Sequence, residues 1–175
     1  MTYKMSIQMR NNDRGAASII ILGIDPGYDR LGMAVIEKPR KGKEVVLYSH
    51  CFQTSSSDSI YERFRQIGAE TSRILDEFKP DIMALETLFV STNQKTGMRV
   101  AEARGIIIHE AARRNISISE YSPGQIKMAV TGDGSSDKRH MIKMVHLLVS
   151  IPQKKTRDDE YDAIAVALTC SAHTR

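Results

Sequence analysis

The fold is decided by residues 18–27, which read SIIILGIDPG. An uninterrupted apolar run rich in β-branched residues is typical of a strand that is buried on both faces. Pro26 and Gly27 break this strand, so the carboxylate of Asp25 lies at its end. The run is shorter than the ~20 apolar residues of a membrane span, and no small-residue cleavage site follows it. The stretch therefore predicts a central strand that ends on an acidic residue.

The segments around this strand predict an α/β fold. Further strands are predicted over residues 32–37, 45–53, 81–86 and 116–121, and strict alternation in 45–53 places Val46 on one face with Tyr48 and His50. Apolar residues at helical spacing predict helices over residues 59–78, 94–114, from Pro123 onward, 137–149 and 158–172. Three strands followed by alternating helices and strands predict a five-stranded mixed sheet flanked by helices.

Length and composition indicate one domain after a short tail. The 175 residues, 41% of them hydrophobic, are enough for a core without disulfide or metal supports. We expect a flexible tail over residues 1–17 and a single domain over 18–175. The two cysteines, Cys51 and Cys170, are too few for a disulfide framework and favour a reduced, cytoplasmic compartment.

Charge is distributed unevenly along the chain. Residues 91–157 hold 12 Lys and Arg against 5 Asp and Glu, whereas residues 158–175 hold 1 against 4. A basic stretch indicates a polyanionic partner such as nucleic acid, although a solvated helix face gives the same pattern.

Four acidic residues form the candidate site. Asp25 and Glu86 end predicted strands, and Asp159 and Asp162 share one face at the start of the last helix. Each alone fits a turn or a helix dipole. Together they would repel one another unless a hard divalent cation with oxygen ligands compensates them. Because His and Cys are not at metal-ligand spacing, Zn²⁺ is disfavoured and Mg²⁺ or Mn²⁺ is favoured. Beside a basic stretch, this predicts phosphodiester hydrolysis with two metal ions.

The chain resembles the RuvC-type Holliday junction resolvases over about residues 20–173. The matching segments are IDPG at 24–27, LETLF at 85–89, Ala103-Arg104-Gly105, QIK at 125–127, Lys138 and DEYDAIA at 159–165. The resemblance implies a ribonuclease H-like fold and a Mg²⁺-dependent endonuclease with two ions per subunit, for which Mn²⁺ substitutes. It also implies a homodimer that binds a four-way DNA junction, nicks two opposing strands symmetrically in recombination and repair, and works with a branch-migration motor.

The resemblance also implies roles for single residues. Asp25, Glu86, Asp159 and Asp162 match the catalytic metal ligands, and Asp158 replaces Asp159 if the helix begins one residue differently. Other matches are Lys127 and Lys138, which contact phosphate and support catalysis, Phe89, which stacks on a base at the junction centre, and the helix with Arg104 and Gly105, which packs the dimer. Arg139 extends the basic pair and is a further DNA-binding candidate. Asp29 departs from the family, which has small or basic residues there.

Three alternatives remain at this point. One is a ribonuclease H-like nuclease that acts on RNA or on other branched DNA. Another is an ATP-binding module, since residues 23–27 also resemble the first phosphate loop of actin-like ATPases, although those proteins need a second such domain. The last is a DNA-binding relative without catalytic activity.

Overall fold

One mixed sheet of six strands forms the centre of the protein, and helices cover both of its faces. The computed structural model describes residues 18–88, 94–151 and 156–174, so the predicted tail lies outside the described residues. The strands are β1 (Ser18–Asp25), β2 (Arg30–Pro39), β3 (Glu44–Gln53), β4 (Ile82–Glu86), β5 (Ser117–Tyr121) and β6 (Val149–Ser150). The helices are α1 (Ile60–Phe78), α2 (Gln94–Ala112), α3 (Pro123–Thr131), α4 (Lys138–Leu148) and α5 (Asp158–His173).

The predicted strands and helices are confirmed, and the structure adds the two-residue strand β6 beside β3. The strand order is β5-β4-β1-β2-β3-β6, in which β1 pairs parallel with β4 and antiparallel with β2. Ser59 and Ser122 cap α1 and α3 by accepting hydrogen bonds from backbone N–H groups three residues on. Within the described residues, no helix is both long and apolar enough to cross a membrane.

The two faces of the sheet carry separate hydrophobic clusters. One face packs against α5, with α3 and α4 beside it, and it includes Ile21 and Ala84. The other face packs against α1 and α2, and it includes Leu22 and Met83. The alternation along β1 and β4 follows the sequence pattern, because successive strand residues point to opposite faces.

The predicted alternation along β3 is wrong at one point. The β2–β3 register shifts between Val35, which pairs with Tyr48, and Ile36, which pairs with Val46. In this β-bulge the Cα register with β2 passes from Tyr48 directly to Val46, so the faces switch along the strand. Val46 therefore lies on the α5 face, whereas Tyr48 packs on the α1 face. Beyond the bulge, Ser49 and Cys51 take the α5 face, where both contact residues of α5.

Candidate active site

Two acidic residues end neighbouring strands. Ile24 of β1 lies opposite Leu85 of the parallel strand β4, so Asp25 and Glu86 follow side by side at the ends of these strands. Ile21 of β1 and Ala84 of β4 lie on the face covered by α5, and alternation along each strand places Asp25 and Glu86 on that same face. The sequence thus folds these carboxylates to one edge of the sheet, below the start of α5.

Gly32 allows the first turn of α5 to approach this edge. Gly32 pairs with Asp25 across β1 and β2. A Cβ atom on Gly32 would lie 2.2 Å from the Asp159 carbonyl oxygen and 3.1 Å from the Asp25 Cβ. A larger residue would therefore push the helix and its carboxylates away from Asp25.

The four predicted carboxylates interact electrostatically. Burial, then the neighbouring Asp162, Glu86 and Asp159, raise the pKa of Asp25 to about 7, while Lys138 opposes the rise. Burial followed by Asp162 likewise raises the pKa of Glu86. Burial raises the pKa of Asp162 too, against the lowering effect of Lys138. The fold therefore brings several carboxylates together, and Lys138 offsets only part of their mutual repulsion.

Both predicted lysines lie beside this cluster. The Lys138 Nζ is 3.0 Å from Asp162 Oδ2 and 3.4 Å from Asp158 Oδ2. Lys127, Lys138, Glu86 and Asp162 line one cavity of about 220 Å³. The apolar part of its lining comes from Pro123, Ile126, Met141, Ala165 and Val166. The basic stretch and the acidic cluster of the sequence thus meet at this cavity.

The remaining predicted residues are not part of this arrangement. Arg139 is exposed on α4 and does not line the cavity. Phe89 lies outside the described residues. Asp158 is exposed and pairs with Lys138, whereas Asp159 is the residue that acts on the pKa of Asp25. Its lower exposure and its electrostatic effect on Asp25 therefore favour Asp159 over Asp158 as the member of the cluster.

Two contacts of Asp159 were not predicted. The Arg30 Nε lies 3.6 Å from Asp159 Oδ1, and the Cys51 Sγ donates to Asp159 Oδ2 at 3.4 Å. Cys51 is buried, as its predicted core position requires, but its sulfur also faces the site. Arg30 directly follows the turn after Asp25, so its position in the sequence could have indicated a place near the carboxylates. The contact of Cys51 could not be found in this way, because it depends on the β3 bulge.

The donor chemistry fits hard divalent cations. In the part of the chain that the structure describes, no three Asp, Glu, His or Cys side chains converge closely enough to ligate an ion as they stand. Lys138 instead holds Asp162. The cluster offers carboxylate oxygens, which Mg²⁺ and Mn²⁺ prefer. A cation would also offset the burial and the carboxylate repulsion that raise the pKa of Asp25.

Comparisons with known proteins match nearly the whole described chain. A protein-family model described as crossover junction endodeoxyribonuclease RuvC matches residues 21–170. The RuvC protein of Thermosipho melanesiensis is 40% identical over 156 residues, covering 89% of this chain and 98% of the relative. The RuvC protein of Rickettsia conorii is 38% identical over 152 residues, covering 87% and 96%.

Solved structures show the same fold. Thermus thermophilus RuvC in complex with Holliday junction substrate has a TM-score of 0.80 at 29% identity, covering 86% of this chain and 92% of that chain. The yeast mitochondrial Holliday junction resolvase has a TM-score of 0.65 at 13% identity, covering 86% and 77%, and shows the fold alone. The predicted ribonuclease H-like fold is confirmed.

Proposed function

The chain belongs to the RuvC family of crossover junction endodeoxyribonucleases, and we propose that its four clustered carboxylates hold the divalent cations with which it cuts four-way junction DNA. As a member of this family it is a nuclease that resolves Holliday junctions, in recombination and repair. The alternative, a ribonuclease H-like nuclease that acts on RNA or on other branched DNA, is not favoured.

One observation carries the assignment of the site. Asp25 is surrounded by Glu86, Asp159 and Asp162, and its burial together with their charges opposes its ionisation and raises its pKa to about 7. Asp25 gains most from a bound cation, because the cation favours the ionised carboxylate. We infer that Asp25, Glu86, Asp159 and Asp162 hold two Mg²⁺ ions per subunit and that Mn²⁺ substitutes.

The chain's own residues supply binding and orientation. When bound, the ions would activate a water molecule and stabilise the leaving oxygen. The Lys138 ammonium, which now pairs with Asp162 and Asp158, is half-exposed and reaches a phosphate when those carboxylates turn to other partners. Lys127, on the same cavity, neutralises phosphate charge nearby. Phe89 and Arg139 remain candidates for DNA contact from the resemblance alone.

A homodimer fits the symmetry of the substrate. Two opposing strands of a four-way junction are related by a two-fold axis, so two identical sites related by the same symmetry would cut them in pairs. We infer that α2, with Arg104 and Gly105, forms the dimer contact. We also propose cooperation with a branch-migration motor, which the family resemblance implies, and a cytoplasmic location, which the small number of cysteines favours.

The direct test compares wild type with Asp25→Asn and Glu86→Gln on an end-labelled four-way junction in Mg²⁺. We expect paired symmetrical nicks from wild type, with plain duplex and an RNA–DNA hybrid left intact. Each variant should still bind the junction but cut about a thousandfold more slowly, because several kcal/mol of metal-derived stabilisation are lost.

Asp76→Asn is the matched control, since it removes an exposed carboxylate on α1, across the sheet from the site. It should cut at the wild-type rate. Cleavage by Asp25→Asn at the wild-type rate would show that the carboxylates are not the metal ligands.

A further inference from the structure

A second cavity adjoins the carboxylate cluster. It has a volume of about 380 Å³ and is lined by His50, Cys51, Phe52, Gln53, Arg157 and Glu160. The first cavity adjoins the end of β4, whereas this one adjoins β3. Because β1 and β2 lie between those strands, Asp25 at the end of β1 and Asp159 over Gly32 of β2 lie between the two cavities along one edge of the sheet.

Asp159 connects the cluster to the second cavity. One of its carboxylate oxygens accepts from the Cys51 Sγ, and the other lies 3.6 Å from the Arg30 Nε. Arg30 also pairs across the strands with Gln53, which lines the cavity. Arg30 therefore lies at the edge of the cavity that is nearest to the catalytic carboxylates.

Two exposed arginines lie at the second cavity. The Arg30 side chain is 61% exposed, and Arg157, which lines the cavity, is also exposed. The acidic residue in the lining, Glu160, is buried and engaged by the protein, since it accepts from the Ser49 Oγ at 2.8 Å and from the Arg157 backbone N–H at 3.2 Å. The guanidinium of Arg157 also lies close enough to Cys51 to oppose the rise in its pKa that burial and Asp159 cause.

Asp29, the acidic residue next to Arg30, forms an ion pair with a buried arginine of the protein. Asp29 pairs with the buried Arg63, which also donates to the Thr54 Oγ1 at 2.8 Å and to the Tyr28 carbonyl oxygen at 3.1 Å. The Arg63 guanidinium lies 4.7 Å from the centre of the Tyr28 ring. These contacts hold Asp29 in an ion pair of its own, so Asp29 does not compete for Arg30, whose side chain is 61% exposed and lies beside Asp159.

We propose that the second cavity, with Arg30 and Arg157 at its rim, binds a backbone phosphodiester group of the cleaved DNA strand. The strand would then be held on both sides of the bond that is cut, by Lys127 and Lys138 on one side and by the two arginines on the other. A guanidinium matches this ligand, since it presents paired N–H donors to the oxygens of a phosphate. The inference rests on the proposed function, because the strand must pass through the carboxylate cluster.

The test measures junction affinity as a function of salt, with all variants made in the Asp25→Asn background so that the DNA stays intact. Arg30→Gln and Arg157→Gln should each reduce the slope of log affinity against log salt by about 0.9, the value for one lost phosphate contact. Arg30→Lys should keep the slope. Arg40→Gln, an exposed arginine after the far end of β2, is the matched control and should leave the slope unchanged.

Neutral methylphosphonate linkages then locate the contact. These linkages are placed one at a time along the cleaved strand. One linkage near the cut should weaken junction binding by the Asp25→Asn parent protein but not by the same protein carrying Arg30→Gln. Arg30→Gln is the decisive variant, because Arg157 precedes α5 and its replacement can shift the helix that carries Asp159 and Asp162.

Wild-type slopes in both glutamine variants, or equal sensitivity of parent and Arg30→Gln to every linkage, would overturn the inference. Absence of junction binding by the wild type would instead overturn the proposed function.

Discussion

Asp25 is the residue at which folding and function oppose each other. It is half-buried beside three acidic groups, and its pKa lies at about 7 instead of the ordinary 3.8. Between these two values the folded protein holds a proton that the unfolded chain releases. Folding stability is therefore lost as the pH rises through this window, and it recovers as the pH falls toward 4.

Asp25→Asn tests this balance in the absence of metal. Asparagine keeps the shape of the side chain but cannot ionise, so in EDTA at pH 8 the variant should melt about 3 °C or more above wild type. The difference should shrink steadily as the pH falls toward 4. Circular dichroism melts across this range measure it, and Mg²⁺ should raise the melting temperature of the wild type more than that of the variant.

Asp76→Asn is the control for this measurement. Pairing with Arg114 lowers the pKa of Asp76, so its replacement should not raise the melting temperature at pH 8. Equal melting temperatures of Asp25→Asn and wild type at every pH would contradict the cost assigned to the Asp25 charge.

At the scale of the element, the helix α5 depends on its close contact with β1. A Cβ atom on Gly23 would lie 2.2 Å from the Ala163 carbonyl oxygen and 2.7 Å from the Ala167 backbone nitrogen. Both atoms belong to the backbone, so they cannot turn aside as the end of a side chain can. The small residues of α5 that pack here thus set the depth at which Asp159 and Asp162 lie.

Gly23→Ala should therefore destabilise the protein, although alanine is otherwise a conservative change. Overpacking of a core typically costs ~1–3 kcal/mol, and each kcal/mol lowers the melting temperature of a chain of this size by ~2–4 °C. Gly124→Ala is the control, because a Cβ atom there meets no atom within 4 Å. If the two variants melt alike, the contact between α5 and β1 is looser than these distances indicate.

The order of the elements could be predicted because burial imposes a clear period on the sequence. The strand that ends at Asp25 and the apolar spacing of α1 needed no tertiary information. The two-residue strand β6 is too short to show a period. The bulge at Leu47 follows from the pairing of β3 with β2, which no local pattern in β3 records.

The acidic residues of the candidate site could be predicted from the sequence, but the partners of Asp159 could not. Acidic residues at strand ends are visible in the sequence, so Asp25 and Glu86 could be placed at one edge. The partners of Asp159 could not be found in this way, because Cys51 reaches Asp159 only after the faces of β3 have switched at the bulge. Arg30 reaches Asp159 through the geometry of the turn that precedes it.

At the scale of the whole molecule, folding brings opposite charges of the sequence together. The basic stretch over 91–157 supplies Lys127 and Lys138 to the cavity in which α5 places Asp162. In the proposed site, bound cations would neutralise the carboxylates that repel DNA, and DNA phosphates would neutralise the lysines that repel cations. A second such site in the same assembly is what paired cleavage of a junction requires.

The proposed dimer makes the last prediction. Met98 is 62% exposed on α2, and Gly105 lies two turns further along the same helix face, where a Cβ atom would meet no atom within 4 Å. The open space at Gly105 would let the backbone of a second subunit approach this face closely, so Gly105→Arg should prevent dimer formation. The fold should be kept, because arginine favours a helix over glycine by up to ~1 kcal/mol. Light scattering should give the wild type twice the chain mass of 19.6 kDa and the variant a single chain mass.

Cleavage of a supercoiled plasmid with a cruciform completes this test. Paired nicks by a dimer give linear DNA, whereas unpaired nicks by a monomer let the cruciform collapse and leave a nicked circle. Gly105→Arg should therefore shift the product from linear to nicked. Ala69→Arg, at an exposed position of α1, is the control and should keep the dimer mass and the linear product. A variant Gly105→Arg that remains dimeric would move the interface away from this face of α2.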